Sequence, residues 1–97
     1  MFVGSLEFDL RLADIHSLKE KRAIVRPIVA ELRRRYEVSV SEVDHLDLHR
    51  RAMIGVAVVA PDGAQVGEVL DNCERAVAAR PEVELLSTRR TLRSSDD

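Results

Sequence analysis

The hydrophobic period of this chain switches between two residues and about 3.6 in a set order, and that order restricts the fold more than any other feature. Residues 2–13 alternate: Phe2, Leu6, Phe8, Leu10 and Leu12 share one side, and Val3, Ser5, Glu7, Asp9 and Arg11 share the other. That is the pattern of a half-buried strand. Residues 17–35 then repeat at helical spacing through Leu18, Val25, Ile28, Val29 and Leu32. Residues 36–43 alternate again, with Tyr36, Val38 and Val40 inward, and end at Asp44. From Leu48 to Ala60 the chain becomes almost continuously apolar, which suits a central strand. Gly55 within it marks a bulge or a close backbone approach.

Pro61-Asp62-Gly63 breaks that run, and a second helix is predicted over Ala64 to Ala79. Val66, Val69, Leu70, Cys73, Ala76 and Val77 form its inner face, and Arg80-Pro81 stops it. The last strand, Glu82 to Leu92, sets Val83 and Leu85 against Glu84 and Leu86. The order β-α-β-β-α-β predicts an α+β, ferredoxin-like fold: an antiparallel four-stranded sheet with two helices on one face. Residues 1–93 form one domain in this reading, and Ser94-Ser95-Asp96-Asp97 is expected to be a frayed, disordered tail.

Ninety-seven residues suffice for one core. No apolar run reaches the ~18 residues of a membrane span. The start Met1-Phe2-Val3-Gly4 lacks a basic region and a cleavage pattern, so no secretory signal is read there. A single cysteine cannot close an internal disulfide, which fits a reducing, cytoplasmic setting. On the apolar stripe of the second helix, Cys73 reads as a small buried hydrophobe.

The first helix carries the strongest local signals. Ser17 and Glu20 stand in the S-x-x-E spacing of a capping box: Ser17 accepts from the Glu20 N–H, and the Glu20 carboxylate reaches back to the Ser17 N–H. Pro27 lies inside the helix, so a kink near Ile24, or a restart at Pro27, is expected. Lys19, Arg22, Arg26 and Arg33 fall within about 60° of one another on the helical wheel. Residues 16–35 hold seven cations and two acids, a net of +5; the chain is formally −2, so the rest sums to −7. Lys21 projects from the apolar side, either snorkelling past the helix start or pointing into a pocket. A basic stripe of this kind is either an ordinary solvated face or a docking surface for phosphates.

Chemistry beyond the stripe is sparse. Asp44, His45, Asp47 and His49 lie within six residues, and imidazole with carboxylate can hold a divalent ion. On extended chain, however, His45 and His49 stand about 13 Å apart, too far to share a metal unless the loop folds back. There is no nucleophile triad, phosphate-binding glycine loop, paired-cysteine motif or dinucleotide fingerprint, and no cofactor is expected. The sheet lacks aromatic side chains on its uncovered face, so it offers no platform for stacking bases.

The run His16-Ser17-Leu18-Lys19-Glu20-Lys21-Arg22 resembles the YlxP-like family of small bacterial proteins, a domain of unknown function. So do Val38-Ser39-Val40-Ser41-Glu42-Val43-Asp44, Asp47 and Ile54-Gly55-Val56-Ala57-Val58-Val59, and the likeness spans nearly the whole chain. His49 stands where many members carry tryptophan. The resemblance implies a ferredoxin-like fold in the bacterial cytoplasm. Family genes often neighbour those of a ribosome-binding factor and an initiation factor, which implies a part in ribosome maturation or translation. It carries over no catalytic residues.

The expectation is thus a noncatalytic RNA- or ribosome-associated protein that contacts rRNA or a ribosomal subunit through His16, Lys19, Lys21, Arg22, Arg26 and Arg33. Two alternatives stand beside it. One is a homo-oligomeric structural or regulatory module, most simply a homodimer. The other is a metal-dependent enzyme using His16, His45, Asp44 or Asp47.

Overall fold

The computed structural model describes residues 1–96. Its elements are β1 (Phe2–Leu12), α1 (Leu18–Tyr36), β2 (Ser39–Asp44), β3 (Arg51–Ala60), α2 (Gly63–Ala78) and β4 (Val83–Ser94). The strands form one antiparallel sheet in the order β2-β3-β1-β4. This is the ferredoxin-like β-α-β-β-α-β arrangement. β1 and β3 are central, as their apolar content requires, and both helices pack on the same face.

Periodicity explains the core. Leu6, Phe8, Leu10 and Leu12 of β1 are buried, as are Ala52, Ile54 and Val56 of β3. Val25, Ile28 and Leu32 of α1 and Val66, Leu70, Cys73 and Val77 of α2 close over them. Asp62 caps α2, its carboxylate accepting from the Gln65 N–H at 2.7 Å. Gly4 has the inward phase of β1, and a Cβ there would meet Val66 Cγ1 at 2.2 Å, so this glycine lets α2 approach the sheet.

Four features depart from the sequence reading. Tyr36 closes α1 instead of opening β2; it is half-buried, with the Arg35 guanidinium over its ring at 5.3 Å. The turn into β2 is made by Glu37 in the left-handed region, φ 53°. Pro27 does not interrupt α1, which is one continuous helix. Pro27 has no N–H, so the Ala23 carbonyl loses its helical donor. Both residues lie on the exposed side, where a free carbonyl is solvated. The capping box is also one residue longer than expected. Ser17 Oγ accepts from Glu20 N at 3.1 Å, but the Glu20 carboxylate accepts from His16 N at 3.4 Å rather than from Ser17 N. Finally, β4 continues through Ser94, and Ser95 N donates to Met1 O at 2.8 Å, so ordered pairing extends past residue 93. The expected fraying at Asp97 lies outside the described residues.

Two bulges shape the edges. Between Glu42 and Asp44 the pairing with β3 slips, leaving Val43 as the extra residue. It lies over Gly55, where a Cβ would meet Val43 Cγ1 at 2.9 Å. The expectation for Gly55 is met in both its forms: a close approach beside a bulge on the neighbouring strand. In β4 the slip falls opposite Asp9 and Leu10, making Leu86 the extra residue. It turns Thr88, Arg90 and Leu92 to the helix side, and Arg90 reaches Asp71 at 2.9 Å and Glu74 at 3.4 Å on α2.

Candidate nucleic-acid interface on the outer edge of the first helix

The cap at Ser17 fixes where α1 begins and therefore which residues face away from the sheet. With Val25, Ile28 and Leu32 turned inward, Lys19, Arg22 and Arg26 are exposed on the outer side. Among the described residues, these three make no hydrogen bond or ion pair within the chain. The acids of the segment are engaged elsewhere. Glu20 accepts from the His16 N–H. Glu31 meets the Arg80 guanidinium at 2.9 Å, and Arg80 also contacts Glu82 at 3.2 Å. Those two carboxylates hold Arg80 protonated even more firmly than an ordinary arginine.

Lys19, Arg22, Ala23, Arg26 and Pro27 line a shallow depression of about 400 Å³. A second depression of about 370 Å³ lies between α1 and β2, with Arg26 and Arg33 on its wall. Arg26 is common to both, so the two form one path along the helix. Arg33 is exposed and donates from Nη2 to the Val40 carbonyl at 2.9 Å, covering part of the β2 edge. From Lys19 to Arg33 the stripe rises about 21 Å at 1.5 Å per residue.

Two of the residues named from sequence differ from that picture. Lys21 is 2% exposed and is not part of any outward surface. Its Nζ donates to the His45 carbonyl at 2.6 Å and lies 2.8 Å from Glu42 Oε2. That oxygen has no hydrogen-bond donor, so it rests on the charge of Lys21. Of the two options the sequence left open, the pocket holds. Glu42 shares the inward phase of Val38 and Val40, so nothing local to α1 signalled this partner. His16 is exposed before the helix, its Nε2 3.8 Å from Asp14 Oδ1 and apart from the stripe's depressions.

The histidine-aspartate segment does not converge. The His45 carbonyl also accepts from Leu48 N at 3.1 Å, closing a tight turn with His45 at φ 59°. His45 Nε2 lies 3.8 Å from Asp9 Oδ1, and Asp9 is gripped by Arg51 Nη2 at 2.7 and 2.8 Å. Asp47 is exposed within that turn and His49 is exposed just beyond it. Among the described residues, no three His, Cys, Asp or Glu side chains form a group that could hold a metal ion. No helix is long and apolar enough to cross a membrane.

Comparison with known proteins agrees with the fold and sets the family. A de novo designed protein with a ferredoxin fold superimposes with a TM-score of 0.57 at 13% identity, covering 98% of this chain and 88% of that one. SnoaB, a cofactor-independent oxygenase from Streptomyces nogalater, superimposes with a TM-score of 0.53 at 9% identity, covering 98% and 94%. At such identities the likeness is one of fold. The uncharacterized protein YlxP of Bacillus subtilis is 31% identical over 87 residues, spanning 90% of this chain and 95% of that protein. Residues 3–90 match the family described as "Protein of unknown function (DUF503)", and the chain is a member of that YlxP-like family.

Proposed function

We propose that this protein is a noncatalytic RNA-associated protein, acting on rRNA or a ribosomal subunit, that binds phosphates along the outer edge of α1. The observation that supports the reading is the set of exposed cations Lys19, Arg22 and Arg26, for which the described residues supply no carboxylate. Arg33 extends the set along the same path, already oriented by its bond to Val40. The Ala23 carbonyl, left without a helical donor by Pro27, is an acceptor for a ribose hydroxyl in the same depression. Lys21 is excluded from the contact set because its charge is committed to Glu42 and His45.

Phosphate binding releases counterions, so affinity falls steeply with salt, and each cation removed lowers the salt slope by about 1. The test is co-sedimentation with ribosomal subunits, and filter binding to rRNA, across a salt series. The chain should bind at low salt and release at high salt, and Arg22→Glu/Arg26→Glu should abolish binding. Binding that is insensitive to salt and to both substitutions would remove the helix edge as the contact surface.

A further inference from the structure

The chain holds two phenylalanines, one tyrosine and no tryptophan, and none of these rings lines the path along α1. Phe8 is fully buried, and Phe2 packs half-buried against the core. Tyr36 closes the helix with the Arg35 guanidinium over its ring at 5.3 Å. His16 lies outside both depressions. Proteins that hold single strands combine a basic groove with rings on which unpaired bases stack. This edge has the charge and lacks the rings.

Two rows run side by side along the edge, because residues three and four apart are neighbours on a helix. Arg22, Arg26 and Arg33 make one row, and all three are exposed. Lys19, Ala23 and Pro27 make the other, also exposed. Pro27 has no N–H to give the carbonyl of Ala23, four residues before it. Ala23 and Pro27 line the same depression as Lys19, Arg22 and Arg26, so an acceptor stands among cations. The short side chains beside it let a sugar-phosphate backbone come close to the helix.

We infer that the RNA met by this edge is an A-form duplex stem, held by its phosphates and a ribose hydroxyl and not by its bases; the inference rests on the RNA-binding reading above and names the form of the partner. A duplex hides its bases and presents phosphates and 2′-hydroxyls, the groups that cations and a carbonyl can address. α1 is one continuous helix, so the cations stand in line before any RNA arrives. Their rise of about 21 Å from Lys19 to Arg33 is less than one turn of a duplex, so the row meets a single stretch of backbone. A fixed row suits a partner whose phosphates are already regular. A single strand would have to be ordered on binding, at a cost in conformational entropy. The Ala23 carbonyl accepts a 2′-hydroxyl, which DNA lacks, and so favours an RNA duplex over a DNA duplex.

The test is fluorescence anisotropy at low salt with three labelled probes. They are an RNA duplex of about two turns, the DNA duplex of the same sequence, and an unstructured single-stranded RNA with a matching phosphate count. Duplex RNA should bind tightest, by about tenfold over the single strand. It should exceed duplex DNA by roughly threefold to tenfold, which is what one hydrogen bond supplies. Pro27→Ala returns an N–H to the Ala23 carbonyl without changing any charge. Its helix should form at least as readily, checked by circular dichroism, and the gap between the RNA and DNA duplexes should close. Equal or tighter binding of the single strand would overturn the duplex assignment and leave the RNA-binding reading standing. An RNA–DNA gap absent from the native chain, or unchanged in Pro27→Ala, would overturn the ribose contact. If no probe binds, the RNA-binding reading falls and this inference with it.

Discussion

Lys21 on the inner side of α1 and Lys19, Arg22 and Arg26 on its outer side carry the same charge within eight residues, yet their surroundings differ completely. Lys21 is enclosed between α1, β2 and the turn after it, with Glu42 and the His45 carbonyl around its Nζ. The outer cations meet no carboxylate among the described residues. The difference comes from angle on the helix alone. It separates a charge that the fold depends on from charges that the fold does not use, and each can be perturbed without the other.

The largest effect should come from the inner side. Lys21→Ala leaves Glu42 Oε2 in place without the counter-charge 2.8 Å from it. Breaking one partner of a buried pair costs about 3–5 kcal/mol. Urea denaturation should show that loss, while rRNA affinity per folded molecule stays unchanged. Replacing both partners, as Lys21→Met/Glu42→Leu, should recover most of it, because two apolar groups need no pairing. A Lys21→Ala protein with normal stability but impaired RNA binding would reverse the assignment of the two sides.

Cys73 sharpens the contrast from the second helix. It too is wholly buried, and burial pushes its thiol up to about 11. The folded pKa is raised above the ordinary 9.0, so stability is unaffected below pH 9 and falls as pH rises toward 11, where the unfolded thiol ionises first. At one pKa unit per about 1.4 kcal/mol, the loss is on the order of 3 kcal/mol. Cys73→Ala should remove that part of the alkaline decline, measured as the difference between denaturation curves at pH 8 and above pH 10. In the core a charge persists only where, as at Lys21, an opposite charge is already held in place.

Much of this was legible in the sequence and some of it could not be. Leu6, Phe8, Leu10, Val25, Ile28 and Val77 announced their burial by period, since period reflects which side of an element meets the core. Ser17 announced the helix start because the bond to Glu20 N spans three residues. Lys21 could be marked as misplaced but not explained, because Glu42 reaches it only after β2 has folded beside α1. The slips at Val43 and Leu86 likewise depend on neighbouring strands, and alternation within one strand does not record them. Tyr36 was assigned to a strand because an aromatic fits either element at a boundary; the left-handed Glu37 decides it. For the candidate site, composition identified the cations, but only the packed structure shows that Glu20 and Glu31 are turned away from them.

The cap tests whether both sides depend on one register. Ser17→Ala removes the acceptor for Glu20 N and should cost about 1 kcal/mol. Since the apolar stripe holds the rest of the helix, thermal melting should shift by a few degrees and rRNA binding should change little. A large loss of binding would mean that the start of α1, His16 included, contributes more than the stripe.

The smallest stability change should come from Arg22→Glu, and its sign is informative. Lys19 and Arg22 are three residues apart, and Arg22 and Arg26 four, so like charges adjoin along the outer side. Such pairs oppose helix formation by about 0.2–0.5 kcal/mol each. Arg22→Glu converts one repulsive pair into a Glu-to-Arg pair in the favourable order. It should therefore raise stability by a few tenths of a kcal/mol, measured by urea denaturation at low salt, while weakening rRNA binding. A substitution that improves the fold and damages binding marks the native arginine as kept for a partner. If Arg22→Glu left binding untouched, the outer cations would be an ordinary solvated face, and the contrast with Lys21 would describe only how the helix is built.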